Sequence, residues 1–511
     1  MGLNSRILGV IQRQGFKRAI VTYSATLVGA IGTLFIYPKA FDAYGEIRFV
    51  LSMVAFLYPL LTLGITSLPV RFFPDFSQGE GRNGFLSILL IAFSCSLILS
   101  GIGIYFFLEH FWSFLTWMNF DIKLFQKNKS IIALLLVVVG LSDLLKRYIS
   151  NFSRIVIPEI ITNTLLKFSL PLLVLAISLQ IVSASSFGWI LIGIYTLMNV
   201  LLFIYLGSLG GLEWKTNWKF LTKSRTKEIG GYALFGLIGS LGSMIAFNID
   251  AIMVTGMKDT FSNGQYTNAL NFAGFLSVPQ VAISAISGPI ISKAVFANRW
   301  DEVSDIYKKS SLNLTFVGGT VFVLILTNLA DLFLISSNPK DMQALWWPVC
   351  FLGLAKVIDM MGGTNREIMG YSHLYKYNLG IVLILAVSNG FANYYLIPIY
   401  GINGAAVATL VSLTLVNLIR GVFLYFSVGI QPFKKQHFFV ILVLLLLFLI
   451  IFNLSLPFWP FFNIVVRSGL TVLVVIGINH RFNMSPLIKT GVTDMLEVVR
   501  SRLTRSSKEG E

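Results

Sequence analysis

Apolar runs of about twenty residues recur along this chain with only short polar connectors between them. No other feature constrains the fold as strongly. A hydrocarbon layer about 30 Å thick takes roughly 20 residues per helical crossing. Runs of that length lie at about 19–38, 46–69, 85–107, 130–149, 155–177, 185–206, 229–256, 265–291, 312–335, 343–362, 377–396, 402–426, 437–453 and 460–479. The chain is 55% hydrophobic and 12% charged, with a mean hydropathy of +0.78. A soluble domain carries about 25% charged residues. The sequence therefore predicts an all-α, polytopic membrane protein of about fourteen transmembrane helices.

The formal charge of +16 invites a nucleic-acid reading, but its distribution argues against one. When the connectors are assigned to alternating sides with the N-terminus inside, most Lys and Arg residues fall on the inner set. The outer set holds Lys39, Arg48, Lys123, Lys127, Lys129, Lys258 and Lys340, while Lys167, Arg420 and Arg467 fall within runs. This is the positive-inside pattern, with both termini cytoplasmic. The basic tail RSRLTRSSK, 500–508, suits anionic lipid headgroups. The charge is topological, and no nucleic-acid partner is expected. The start, MGLNSRILGVIQRQGFKRAI, reads as an interfacial helix rather than a cleaved signal peptide. Cys95 and Cys350 fall within runs and imply no disulfide framework.

The second half of the chain echoes the first. VVVGLSDLLKRYISNFSRI (137–155) aligns with CFLGLAKVIDMMGGTNREI (350–368), setting Gly140 opposite Gly353. Gly188 falls opposite Gly401, Gly29 and Gly32 opposite Gly239 and Gly242, and AYGEIRFV (43–50) parallels SNGQYTNA (262–269). Six crossings separate equivalent positions, so the repeats enter the membrane from the same side. The expected organisation is a six-helix lobe over 1–213, a second over 214–430, an extra helix pair over 431–482 and a basic tail over 483–511.

Enzymatic chemistry finds little footing. The histidines His110, His373, His437 and His480 are scattered, and no Walker motif is present. The protein is read as a non-enzyme without a bound cofactor.

Ionisable residues inside the runs cost about 2.5–3.5 kcal/mol each on insertion scales and mark functional sites by default. Asp250 stands near the end of its run, on a helical face shared with Gly236, Gly239, Ser240 and Ser243. Two readings stand: a small-residue packing seam with the acid hydrogen-bonded across it, or a cavity lining. In the next run, Ser277, Gln280, Ser284 and Ser287 share a face; Asn268 and Asn271 lie elsewhere, and a kink at Pro279 would realign the two sets. Glu159, Asn163 and Lys167 form an i, i+4, i+8 ladder. Lys167 would then pair with Glu159, pair with an acid such as Asp359, or meet a phosphate. Arg154 and Arg366 read as topology anchors, and Arg420 and Arg467 as side chains able to snorkel.

Three segments carry a family resemblance: KRAIVTYSATLVGAIGTLFIYPKAF, YGEIRFVLSMVAFLYPLLTLGI and, above all, NIDAIMV followed by SNGQYTNALNFAGFLSVP. The chain resembles the polysaccharide flippases, O-antigen type, of the multidrug/oligosaccharidyl-lipid/polysaccharide exporter superfamily. The resemblance spans about residues 8–480. It implies a V-shaped, two-lobed transporter of a bacterial inner membrane working by alternating access. The implied cargo is an undecaprenyl-pyrophosphate-linked oligosaccharide, driven by a gradient of H+ or Na+ rather than ATP. Partners would be that cargo, membrane lipids and other polysaccharide-assembly proteins. The implied substrate contacts are Lys167, Asn268, Asn271, Ser277, Gln280, Arg48 and Arg420. Asp250, Glu159 and Asp359 would serve coupling or gating.

Two departures separate the branches. The first run contains no acid, unlike ion-coupled multidrug exporters, and it is poor in the arginines that murein-precursor (lipid II) flippases carry early. Both branches stay open as alternatives, as does a membrane polysaccharide polymerase.

Overall fold

The computed structural model describes residues 27–77, 83–117, 120–152, 154, 156–454 and 456–482. The start of the first run, the interfacial segment before it and the basic tail lie outside these residues. All regular structure among the described residues is helical.

The helices are α1 Leu27–Lys39, α2 Phe41–Thr62, α3 Leu68–Phe76, α4 Phe85–Trp117, α5 Lys123–Ser150, α6 Val156–Ser178 and α7 Ala184–Ser208. There follow α8 Lys223–Met257, α9 Thr260–Phe275, α10 Ser277–Phe296, α11 Trp300–Leu334, α12 Pro339–Met361, α13 Asn365–Tyr371, α14 Tyr375–Tyr400, α15 Ile402–Val428, α16 Lys435–Phe452 and α17 Pro460–Phe482. Among the described residues, 12 helices are long and apolar enough to cross a membrane. Of the fourteen expected spans, the other two correspond to α1 and α8.

Two expected spans are shaped differently from the plain runs. The run at 46–69 begins earlier and ends earlier, because the chain turns left-handed at Leu63 and Gly64. Gly64 has φ +76°, and a Cβ there would strike the Ala233 carbonyl, so both its conformation and its space require glycine. Pro69 then sits in the first turn of the separate helix α3, where its missing N–H costs nothing. The run at 265–291 is two helices with Leu276 between them. Pro279 explains the position of the break, since its ring opposes the carbonyl four residues back, at Phe275.

The chain divides into two compact units: Met1–Asn271 with Leu385–Ala408, and Phe272–Ile384 with Thr409–Glu511. In the first unit, α2 packs against α8 and α5 against α7. Glycines set these contacts. A Cβ on Gly45 would meet the Thr260 carbonyl, and one on Gly264 would meet the Phe41 carbonyl. These two glycines occupy the equivalent positions of AYGEIRFV and SNGQYTNA, and the segments bind each other reciprocally. Asn263 donates to the Gly45 carbonyl at 2.8 Å and the Thr260 hydroxyl to Asp42 at 3.1 Å. At the opposite end of α2, a Cβ on Gly236 would collide with Ser67. So α2 is held to α8 and α9 at both of its ends.

The second unit is built on α11, which packs against α10, α12, α16 and α17. Its core joins Leu312, Phe316 and Val323 to Val440, Leu444, Leu447 and Val475. One contact is common to both units. Gly140 receives the ring of Phe93, and its sequence counterpart Gly353 receives the ring of Phe322. Each unit thus seats an aromatic from the preceding long helix on the glycine that the repeat aligns.

Candidate functional site

In the first unit, Asp250 near the end of α8 is 5% exposed. Its carboxylate accepts from Tyr266 Oη at 2.8 Å, Asn389 Nδ2 at 2.8 Å and Asn393 Nδ2 at 2.5 Å. The donors come from α9 and from two successive turns of α14, so one acid ties three helices together. Of the two sequence readings, the geometry is that of the packing seam, because the acid is enclosed by donors. Asn389 and Asn393 were a legible signal, being amides one turn apart within a membrane-length run.

Asn268 and Asn271 follow on α9. Asn268 is fully buried and donates to the Thr33 carbonyl of α1 at 3.0 Å; Asn271 donates to Tyr44 Oη at 3.0 Å. Tyr44 stacks on Tyr37, with centroids 3.9 Å apart and planes at 7°. Arg48, one turn further along α2, is half-buried and within electrostatic reach of Tyr37, Tyr44 and Tyr195. Its Nε is buried without a hydrogen-bond partner. Of the expected contacts, Asn271 and Arg48 therefore share one polar patch around Tyr44.

The ladder on α6 is only partly formed. Asn163 donates to Glu159, but the cation paired with Glu159 is Lys146 of α5, at 3.1 Å. Lys167 is exposed. A spacing argument confined to one helix could not see Lys146. Arg154 is likewise exposed.

The second unit brings together Gln280, Asp359 and Arg420, which the sequence scattered over three runs. Asp359 is 2% exposed. It pairs with Arg366 at the start of α13 and accepts from Asn417 Nδ2 at 3.0 Å and Gln280 Nε2 at 3.3 Å. Asn417 in turn accepts from Asn365 at 3.1 Å. Arg366 is thus the half-exposed partner of a buried acid and not only a topology anchor. The Asp359 carboxylate beside it holds its guanidinium above the ordinary value. Ser277, Ser284 and Ser287 share the half-buried face of α10 with Gln280. Arg420 is 3% exposed, so it does not snorkel; it interacts with Arg366, Asp359, Glu367 and Tyr307, and its Nε has no acceptor. Lys356 adds a further base. Three bases therefore face two acids.

Beside this network lies a cavity of about 460 Å³, lined by Tyr307, Ile358, Gly362, Asn417, Gly421 and Phe433 among others. Arg467, also expected to snorkel, is half-buried and held by protein groups instead. It donates to Asp331 at 2.6 Å, to the Thr327 carbonyl and to the Leu454 carbonyl. Among the described residues no group of His, Cys, Asp and Glu could hold a metal ion.

No protein-family model matches this sequence, and neither does any curated protein. Solved structures do. The structure described as lipid II flippase MurJ, inward closed conformation, superposes with a TM-score of 0.69 at 16% identity, covering 91% of this chain and 98% of that one. An inward-facing multidrug resistance MATE family transporter of the MOP superfamily gives 0.58 at 14% identity, covering 79% and 97%. This chain shares their fold. The likeness runs through both units and extends over nearly the full length of each comparison protein. Both comparison proteins are transporters rather than enzymes.

Proposed function

We propose that this protein is a flippase for a lipid-linked oligosaccharide. It would carry undecaprenyl-pyrophosphate-linked repeat units from the cytoplasmic to the periplasmic leaflet of a bacterial inner membrane. The mechanism is alternating access, drawing on a gradient of H+ or Na+, with both termini cytoplasmic.

The observation that carries this reading is the extent of the fold match. A lipid flippase is matched over 91% of this chain and a drug transporter over 79%. The described part of the first run contributes no acid, which sets the chain apart from ion-coupled drug exporters on the reasoning given above. Polar groups for a glycan and bases for a pyrophosphate are also at hand in the same fold. Arg366, Lys356 and Arg420 gather in one network of the second unit, and they are better grouped for an anionic head than the solitary Lys167. The Asp250 and Asp359 networks each join several helices through one carboxylate, which suits elements that must move as blocks.

Lipid II is the second reading, favoured by the flippase likeness itself. Leaflet-resolved labelling in cells with and without the protein separates the two. Loss of the protein is expected to accumulate linked oligosaccharide on the cytoplasmic face and leave lipid II turnover unchanged. Accumulation of lipid II instead would establish the second reading, and neither accumulating would refute both.

A further inference from the structure

The connector between α7 and α8 belongs to none of the networks above. It joins two crossings, so it lies where hydrocarbon gives way to headgroups. Its sequence, GLEWKTNWKFLTKSRTK at 211–227, holds five bases and no acid from Trp214 onward. Lys215, Lys219, Lys223 and Lys227 are exposed. The flanking acids are turned elsewhere: Glu213 is half-buried, and Glu228 lies 3.7 Å from Arg71.

This basic segment is pinned to the first unit. Ser87 Oγ, near the start of α4, donates to the Glu213 and Trp214 carbonyls at 3.1 and 3.2 Å. The Asn217 N–H donates to the Asn83 carbonyl at 3.2 Å, and Asn217 Nδ2 to Asn83 Oδ1 at 2.9 Å. Gly84 has φ +68°, and a Cβ there would strike the Lys215 carbonyl, so the two backbones touch at a point only glycine allows. Phe220 packs on Phe76 with ring centroids 4.7 Å apart, and the Arg225 guanidinium covers Phe220 at 3.8 Å. The connector thus seats one aromatic inward, yet leaves Trp214 and Trp218 63% and 58% exposed.

Outward indoles among ammonium groups suit the headgroup layer better than water or hydrocarbon. There the ring meets glycerol and upper acyl chain while its N–H reaches an oxygen, and lysines attract anionic lipid. Because the segment is already held in place, docking costs little ordering. We propose that residues 214–227 form a docking surface for anionic phospholipid. Trp214 and Trp218 lie at the glycerol level, and Lys215, Lys219 and Lys223 meet the phosphates. The occupant is a lipid of the surrounding leaflet, so the inference is independent of the cargo.

Tryptophan quenching by lipids brominated near the glycerol tests it. The purified full chain is held in phosphatidylcholine nanodiscs with a minor fraction of brominated lipid. The signal of the two indoles is the parent's emission less that of a variant carrying Trp214→Phe and Trp218→Phe. Brominated phosphatidylglycerol is expected to quench that signal at least twice as strongly as brominated phosphatidylcholine at the same fraction. The excess is expected to vanish in high salt and in a variant carrying Lys215→Gln, Lys219→Gln and Lys223→Gln. That variant is expected to unfold thermally as the parent does, because these side chains are exposed. Equal quenching by both lipids in the parent, or a preference that the lysine variant keeps, overturns the proposal. So does protection of both indoles from either lipid with open access to dissolved acrylamide, which assigns the surface to water or a soluble partner.

Discussion

Asp250 is surrounded by donors, and that fixes what its replacement does. Asp250→Asn keeps the shape but turns one acceptor oxygen into an NH2 group facing Tyr266, Asn389 or Asn393. Leaving a buried polar group unsatisfied costs about 1–3 kcal/mol. The variant is expected to unfold earlier in a thermal scan in detergent, and to lose transport if the network also supports gating. Unchanged stability together with unchanged transport would remove Asp250 from both roles. Arg467 makes a second case. It and Asp331 are 13% and 9% exposed as side chains. Breaking such a pair from one side costs about 3–5 kcal/mol, whereas replacing both partners by apolar residues is often nearly neutral. Arg467→Met is therefore expected to be strongly destabilising, and Arg467→Met with Asp331→Leu to recover most of the loss, as a double-mutant cycle of unfolding would show.

At the scale of helices, the central feature is the grip on α2 at both ends. Under the proposed alternating access, one end would part at a time. A disulfide between cysteines at Asp42 and Thr260, whose side chains are hydrogen-bonded, is expected to stop transport and to release it on reduction. Full activity with the crosslink in place would exclude motion there. The helices themselves were legible because a hydrocarbon layer imposes one length on every crossing, and the glycine pair Gly140 and Gly353 was legible because close packing demands small residues in both halves. What was hidden depends on neighbours in space. The partner of Glu159 is Lys146 on another helix, and the partner of Arg467 is Asp331 on α11. Pro279 announced a distortion, but only its clash with the carbonyl of Phe275 turns a kink into two helices. The Asp359 network was half visible: Gln280, Asp359 and Arg420 were singled out, yet nothing in linear spacing joined them to Asn417 or Arg366.

For the whole molecule, the account reduces to movement of a lipid-linked glycan between leaflets. Reconstitution addresses that without the rest of the cell. Undecaprenyl-pyrophosphate-linked oligosaccharide is placed in both leaflets of sealed vesicles, and a membrane-impermeant oxidant consumes whatever glycan faces outward. Without protein, oxidation stops once the outer leaflet is spent. With the full chain inserted and an ion gradient imposed, the account predicts that oxidation continues until the inner pool is also consumed, and that the Asp42–Thr260 crosslink restores the early stop. Oxidation that stops at the outer leaflet with correctly inserted, uncrosslinked protein would contradict the flippase reading.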